Sequence, residues 1–308
     1  MNGVIEYDQK LTSLPRVLLI HQFSPKENYW NIIFIFTSIY YIIITAMFLN
    51  SIPPKTVNIT TIAIYFIRLE FFVEVSVMFS SYFFLQQLEY RFEMLNHSWK
   101  YLLPGFLSTP GELTHSITEM TLDKLRLLHA ELLNLLRIFS EGYGQILLGY
   151  FLFTYIDILL HLYYLIIVSV KIEIYNFDII IINCIIFFSQ LKNIILILSI
   201  IIAASRVHDK KRKMISNLRL IRISKLSANL KIQVKLFMNQ ITVLESSEIT
   251  AFGIFNINLK LVISILILII TGLVTIIELK GHPLMLQLKN DISKFLQKIR
   301  LGLSALNR

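Results

Sequence analysis

The stretch Gly253–Leu279, GIFNINLKLVISILILIITGLVTIIEL, decides how the rest of the chain is read. A helix crosses a bilayer with about 20 predominantly apolar residues, and this stretch is long enough. It also carries a pattern. Taken as a helix, Asn256, Lys260, Ser264, Ile267, Thr271, Thr275 and Glu278 recur at steps of three or four and share one face. Six of these seven are polar, and of the other residues from 256 to 278 only Asn258 and Gly272 are not plainly apolar. A membrane helix with one polar stripe wants water or a polar neighbour along it. Two readings stay open: a pore-lining helix, or a buried helix–helix seam in which Ser, Thr and Gly permit close packing.

The whole chain shares this apolar character. Its 308 residues are 55% hydrophobic, and the mean hydropathy is +0.65. Soluble domains hold about 45–50% apolar residues even when Gly is counted. The excess lies in long runs, so a polytopic membrane protein is expected. The single cysteine, Cys184, sits inside a hydrophobic run, where it makes no internal disulfide and fits no metal-ligand spacing. The net charge of +9 is concentrated between the apolar runs. That suggests anionic headgroups and membrane lipid as partners before nucleic acid. No cleavable signal peptide is visible in the first thirty residues.

Five spans are expected, at about 30–49, 57–85, 144–170, 178–205 and 253–279, after a mixed, polar N-terminal segment 1–29 with one short apolar patch, Val17–Ile20. Pro53-Pro54 ends the first span. The second contains Arg68, Glu70 and Glu74, which are expensive in lipid unless they face protein or water. Leu88, Phe92 and Leu95 keep helical spacing beyond it, and Pro104, Gly105, Pro110 and Gly111 mark a loop. The third span carries Asp157 and His161 as i,i+4 neighbours, and the fourth carries Gln190, Lys192 and Asn193 at mid-depth. Each of these polar groups has two readings. Glu70, Glu74, Asp157, His161, Gln190 and Lys192 line a ligand pocket or relay, or they form structural pairs inside the bundle, with Lys192 paired to Asp157, Glu70 or Glu74.

Outside the spans, two stretches have seams. Leu125, Leu128, Leu132, Leu135 and Phe139 recur at three and four between about Ser116 and Ser140, with charges opposite. Leu230, Val234, Phe237, Ile241 and Leu244 repeat the pattern in the basic segment 206–248. The run Lys210–Lys213 reads as a headgroup-contacting cluster. The tail 280–308 is basic and amphipathic through Leu288, Ile292, Phe295 and Ile299, as a surface-lying or disordered segment would be.

Lys and Arg set the orientation. The N-terminus has three, loop 50–56 one, segment 86–143 five, loop 171–177 one, and segment 206–252 ten. With five spans the basic segments share one side, which the positive-inside rule makes cytoplasmic together with the N-terminus. The tail's six basic residues run against this. Asn58-Ile59-Thr60 is then an outer-side sequon close to the membrane. A G-protein-coupled receptor, whose N-terminus is outside, is disfavoured. An enzyme is not expected either: no nucleophile–base motif, phosphate loop, cofactor motif or metal spacing is present.

The segment from Ala251 through Gly253, Phe255 and Asn256, and the closing Thr271-Gly-Leu-Val-Thr-Ile-Ile-Glu-Leu279, resemble the last helix of insect gustatory receptors. That helix opens on Gly-Phe-Phe-x-Ile-Asp/Asn and closes on Thr-Tyr-(apolar)-Gln-Phe. Arg91-Phe92 with Leu95-Asn96 resembles the stretch after that family's fourth helix. The approach to Gly142-Tyr-Gly-Gln-Ile-Leu-Leu is similar to the approach to its fifth. Gly272, Glu278 and Leu279 stand where the family has Tyr, Gln and Phe.

The resemblance implies an all-α transmembrane bundle with cytoplasmic helical extensions, acting as a ligand-gated, non-selective cation channel for small tastants in the plasma membrane. It implies a homo- or hetero-tetramer and no cofactor. The last helix would line the pore through Ser264, Ile267, Thr271, Val274, Thr275, Glu278 and Leu279. The two seam helices would build the cytoplasmic anchor. The five spans align with the family's helices three to seven, so two N-terminal helices would be missing, as in a partial gene model or a degenerate, non-functional copy. A secondary transporter with a midplane site of Lys192, Asp157 and Glu70 is the competing class.

Overall fold

The structure, a computed structural model, describes residues 2–12, 29–51, 69–105, 112–171, 177–219, 226, 228–244 and 249–279. The Val17–Ile20 patch, the Pro53-Pro54 loop, the sequon at Asn58, Arg68, residues 106–111, the loop after Lys171 and the tail 280–308 lie outside them. Within the described residues the chain forms α1 (Asn2–Thr12), α2 (Tyr29–Ser51), α3 (Leu69–Gly105), α4 (Glu112–Lys171), α5 (Phe177–Arg219), α6 (Ala228–Leu244), a hairpin of β1 (Thr250–Ala251) and β2 (Phe255–Asn256), and α7 (Leu259–Leu279).

The helices are longer than the apolar runs inside them. α4 spans 60 residues without a break, so the seam segment and the third span are one helix and Gly142, Gly144 and Gly149 do not interrupt it. α5 likewise runs through the fourth span into the basic segment, ending at Arg219. Its first half, Ile-rich and β-branched, is strand-like by propensity in water. In hydrocarbon only a helix satisfies each backbone group within the segment, and that requirement wins. Stretches of α4, α5 and α7 are long and apolar enough to cross a membrane, while the described apolar part of α2 is the shorter Ile35–Met47.

The buried core runs from the extensions into the spans, where Met78, Leu147, Phe151 and Ile200 belong to it. Phe92, Leu95 and Trp99 of α3 join Leu122, Leu125, Leu128 and Leu132 of α4, Met214 and Leu218 of α5, and Leu230, Val234, Phe237 and Ile241 of α6. Trp99 and His129 each meet the Phe237 ring edge-on, with centroids 5.4 Å apart. His129 is 1% exposed, and neither of its ring nitrogens has a hydrogen-bond partner among the described residues. Burial, with a smaller contribution from the Lys211 charge, depresses its pKa to about 4. It is therefore neutral at physiological pH.

The N-terminal segment is not simply polar. Its first residues form α1, which docks on α3 and α4 by burying Tyr7 and Leu11. Arg91, itself buried, donates from Nε and Nη2 to the two carboxylate oxygens of Asp8, at 3.0 and 2.7 Å. Lys10 reaches Glu131 of α4 at 2.5 Å. The Tyr7 phenol is driven upward in pKa by burial, against the opposing Arg91 charge. Val4, Tyr7 and Leu11 recur at steps of three and four and form the face that docks, and bonds to partners 83 and 121 residues on hold it there.

Candidate functional site

The chain between α6 and α7 turns through the hairpin before the last helix starts. Gly253 has φ +72° and Phe252 φ +53°, a pair of positive values that closes a tight turn with Ile254 N–H donating to the Ala251 carbonyl at 3.1 Å. Asn256 therefore lies on β2 and not on the helical face expected of it. The helix starts at Leu259 because Asn258 caps it: its side-chain oxygen accepts from Lys260 N–H at 3.0 Å. Asn258, an oddity in an apolar run, is thereby accounted for.

The hairpin is seated on α4. Ser140 Oγ donates to the Thr250 carbonyl at 2.9 Å and accepts from the Thr250 N–H at 3.0 Å. One turn on, Gly144 leaves room for the backbone, since a Cβ there would lie 2.7 Å from Phe252 N and 3.0 Å from Thr250 O. Higher up, α7 touches α4 again. Tyr155 OH donates to the Leu268 carbonyl at 3.1 Å, and a Cβ on Gly272 would lie 2.7 Å from that hydroxyl. Gly272, where the resemblance has Tyr, is a close-approach position.

These contacts fix which way α7 faces. Leu261, Val262 and Ile265 pack toward the core, and Gly272 meets α4. By helical periodicity the polar stripe is on the opposite face. Lys260, Ser264, Ile267, Thr271, Thr275 and Glu278 are all exposed on the chain, as is Val274. A seam within one chain is thus excluded for the described residues. Ser264, Thr271 and Thr275 hydroxyls donate to carbonyls one turn back, at 3.3, 2.8 and 2.9 Å, which leaves acceptor lone pairs outward. Leu279 ends the helix, and its side chain lies outside the described residues.

A second feature is a cavity of about 450 Å³ between α2, α3 and α5. Phe36 and Tyr40 come from α2, Phe79 and Tyr82 from α3, and Phe188, Lys192 and Ser199 from α5. Of the six residues expected in a pocket, Lys192 lines this one. Its aromatic residues are not singled out by the sequence. They do recur at i,i+3 and i,i+4, but on helices apolar on most faces, where periodicity has little contrast.

Asp157, His161 and Gln190 come together elsewhere, between α4 and α5. The Gln190 amide nitrogen lies 2.6 Å from Asp157 Oδ2 and 2.7 Å from His161 Nδ1. His161 Nδ1 is also 3.1 Å from Asp157 Oδ1. An amide nitrogen has two hydrogens, enough to bridge both groups, so this trio joins two helices. Lys192, two residues on from Gln190, points to the other side of α5 and lies on the cavity wall instead. Glu70 and Glu74 are in the first turns of α3, their side chains outside the described residues.

Both seams are buried. Leu125, Leu128, Leu132, Leu135 and Phe139, with Leu230, Val234, Phe237 and Ile241, belong to the one core; Leu244 closes α6, its side chain outside the described residues.

No curated protein matches the chain. A family-wide sequence profile described as "7tm Chemosensory receptor" matches residues 5–280, nearly the full length and every described element from α2 to α7. That family is not one of enzymes, and its members respond to small molecules. With its helical bundle, membrane-spanning helices and buried helical extensions, the chain belongs to the 7tm chemosensory receptor family.

Proposed function

We propose that the chain is a gustatory-receptor-like subunit of a ligand-gated, non-selective cation channel for small tastants, working as a homo- or hetero-tetramer in the plasma membrane. The observation that carries this reading is the orientation of α7: its polar stripe points away from the helices it packs on. A polar face turned away from its own chain wants water or a copy of itself. Fourfold assembly about that face supplies both, with Ser264, Ile267, Thr271, Val274, Thr275, Glu278 and Leu279 around a central pore.

In this reading the buried core of α3–α6 is the cytoplasmic anchor, with the N-terminus inside, and the α2–α3–α5 cavity receives the tastant. Binding opens the pore only through a difference in affinity between closed and open states. A transporter would need Lys192 and Asp157 at one midplane site. Their separation onto two sides of α5 favours the channel.

Glu278 forms a ring of carboxylates at the outer mouth in such an assembly, and acidic rings favour cations. Whole-cell recording of Glu278→Gln and Glu278→Lys tests this. The expected outcome is a stepwise fall in cation conductance, with Glu278→Lys lowest and shifted toward anions. Unchanged conductance and selectivity in both removes Glu278 from the pore.

A further inference from the structure

The two halves of α7 are held in different ways. Leu261, Val262 and Ile265 pack on the buried core, and the hairpin below them is seated on α4 at Ser140 and Gly144. Among the described residues no α7 side chain beyond Ile265 joins that core. Further along, Gly272 sits against Tyr155 and Leu159 of α4. The outer end of the helix continues past this contact with Thr275 and Glu278 exposed.

The turn from Ile267 to Gly272 is also where α7 bends most readily. Glycine is the least favourable residue in a helix interior after proline. Kinks gather at glycine and where a side chain intrudes on the backbone ladder. Both conditions meet here. The Leu268 carbonyl, which in an α-helix accepts from the N–H of residue 272, also accepts from the Tyr155 hydroxyl at 3.1 Å. The Ile267 carbonyl is shared in the same way with the Thr271 hydroxyl at 2.8 Å, a back-bond that itself tends to bend helices.

We propose that Gly272 is the pivot of α7 and Tyr155 its latch. The Tyr155 hydroxyl positions the outer end of the helix, and so sets how widely Thr275 and Glu278 stand at the pore mouth. The proposal rests on the channel reading and assigns a positioning residue to it. Asp157, two residues on from Tyr155 and on the other side of α4, is bound by Gln190 of α5 at 2.6 Å. A shift of α4 against α5 therefore reaches α7 through Tyr155.

The test uses the full chain in phosphatidylcholine nanodiscs and reads amide hydrogen exchange along α7. Tyr155→Phe removes the hydroxyl and keeps the ring, so the packing is preserved. Protection over residues 272–279 is expected to fall roughly twofold to tenfold, the worth of one hydrogen bond, with residues 261–267 unchanged. Gly272→Ala is expected to raise protection roughly fivefold in the Tyr155→Phe background. With Tyr155 present the gain is smaller, because a Cβ at 272 lies 2.7 Å from the hydroxyl and displaces it from Leu268.

Unchanged protection in Tyr155→Phe, an equal fall in both halves of α7, or an equal gain from Gly272→Ala in both backgrounds overturns the proposal. Exchange is read without currents or thiol reagents. A chain that shows this pivot yet passes no current refutes the channel and leaves the latch and pivot standing.

Discussion

His129 is the residue at which burial and chemistry conflict most openly. It lies against Phe237 in the extension core, both ring nitrogens unpartnered among the described residues. An unsatisfied buried polar group costs about 1–3 kcal/mol, so His129→Leu, similar in volume, is expected to stabilise the folded chain. The sign of the pH dependence follows from its depressed pKa. Folded His129 titrates near 4, against 6.5 for the free side chain. The folded state therefore resists a proton that the unfolded state accepts. Stability is unaffected above pH 6.5 and falls as pH drops toward 4, by an amount approaching roughly 3 kcal/mol. Thermal unfolding of the purified protein in detergent, followed by size-exclusion chromatography, should show this acid loss in the wild type. It should be reduced in His129→Leu; an equal loss in both assigns it to other groups.

Not every residue role is visible along the chain. The Asp157–His161 pair follows from i,i+4 spacing, but its third member, Gln190, is 33 residues away and is brought in by packing. Arg91 is legible only as a family-like dipeptide. The bidentate bond to Asp8 that explains its burial crosses 83 residues, beyond any periodicity. Lys192 stands out by its cost in lipid, and that signal leads to the cavity although the aromatic walls give none.

At the scale of elements, long-period patterns are the most legible. Both seams are buried where the 3-4 spacing places them, because a strip of Leu and Phe with charges opposite has one stable orientation. Boundaries are less so. Gly142 and Gly144 suggest a junction between a seam helix and a span, yet α4 continues through them. The reason for Gly144 is the hairpin and not the helix end. A methyl there meets backbone atoms of Phe252 and Thr250, which cannot rotate aside as a side chain can. Gly144→Ala should therefore destabilise the chain by about 1–3 kcal/mol, as overpacking does. A methyl on Gly149, in the same helix, would have nothing within 4 Å among the described residues. Gly149→Ala should instead be neutral or stabilising by up to about 1 kcal/mol from helix propensity. Melting temperatures of the two variants, moving in opposite directions, check this. A parallel shift removes the hairpin seat from the explanation.

The hairpin also limits what a sequence pattern can say about α7. Read as continuous helix, the stripe begins at Asn256; with the turn at Phe252–Gly253 and the cap at Asn258 it begins at Lys260. Local turn chemistry overrides the periodic reading at the start of the stretch and leaves the remainder in place.

For the whole molecule, the composition and the apolar runs are enough to identify a membrane-spanning helical bundle. What they leave open is whether the polar stripe is a seam or a lining. Packing decides half of that question: α4 and α5 take the apolar face of α7, and the stripe is turned outward. Assembly decides the rest. Of the three described helices apolar enough to cross a membrane, α7 alone has no buried residue in its apolar window, so its surface is open to copies of itself. Two exposed faces can then be distinguished by their surroundings. The stripe at Thr271 and Thr275 should meet water, and the exposed apolar flank at Leu266 and Ile277 should meet lipid or a neighbour.

Cysteine labelling makes that distinction directly, since Cys184 is the chain's single cysteine and Cys184→Ser clears the background. A thiol reacts as its thiolate, which needs water, and a permanently charged reagent reaches only aqueous positions. In intact membranes, a pore lined by α7 predicts that a charged methanethiosulfonate modifies Thr271→Cys and Thr275→Cys but leaves Leu266→Cys and Ile277→Cys unmodified. Labelling absent from the stripe, or equal on both faces, would contradict a water-filled pore lined by α7.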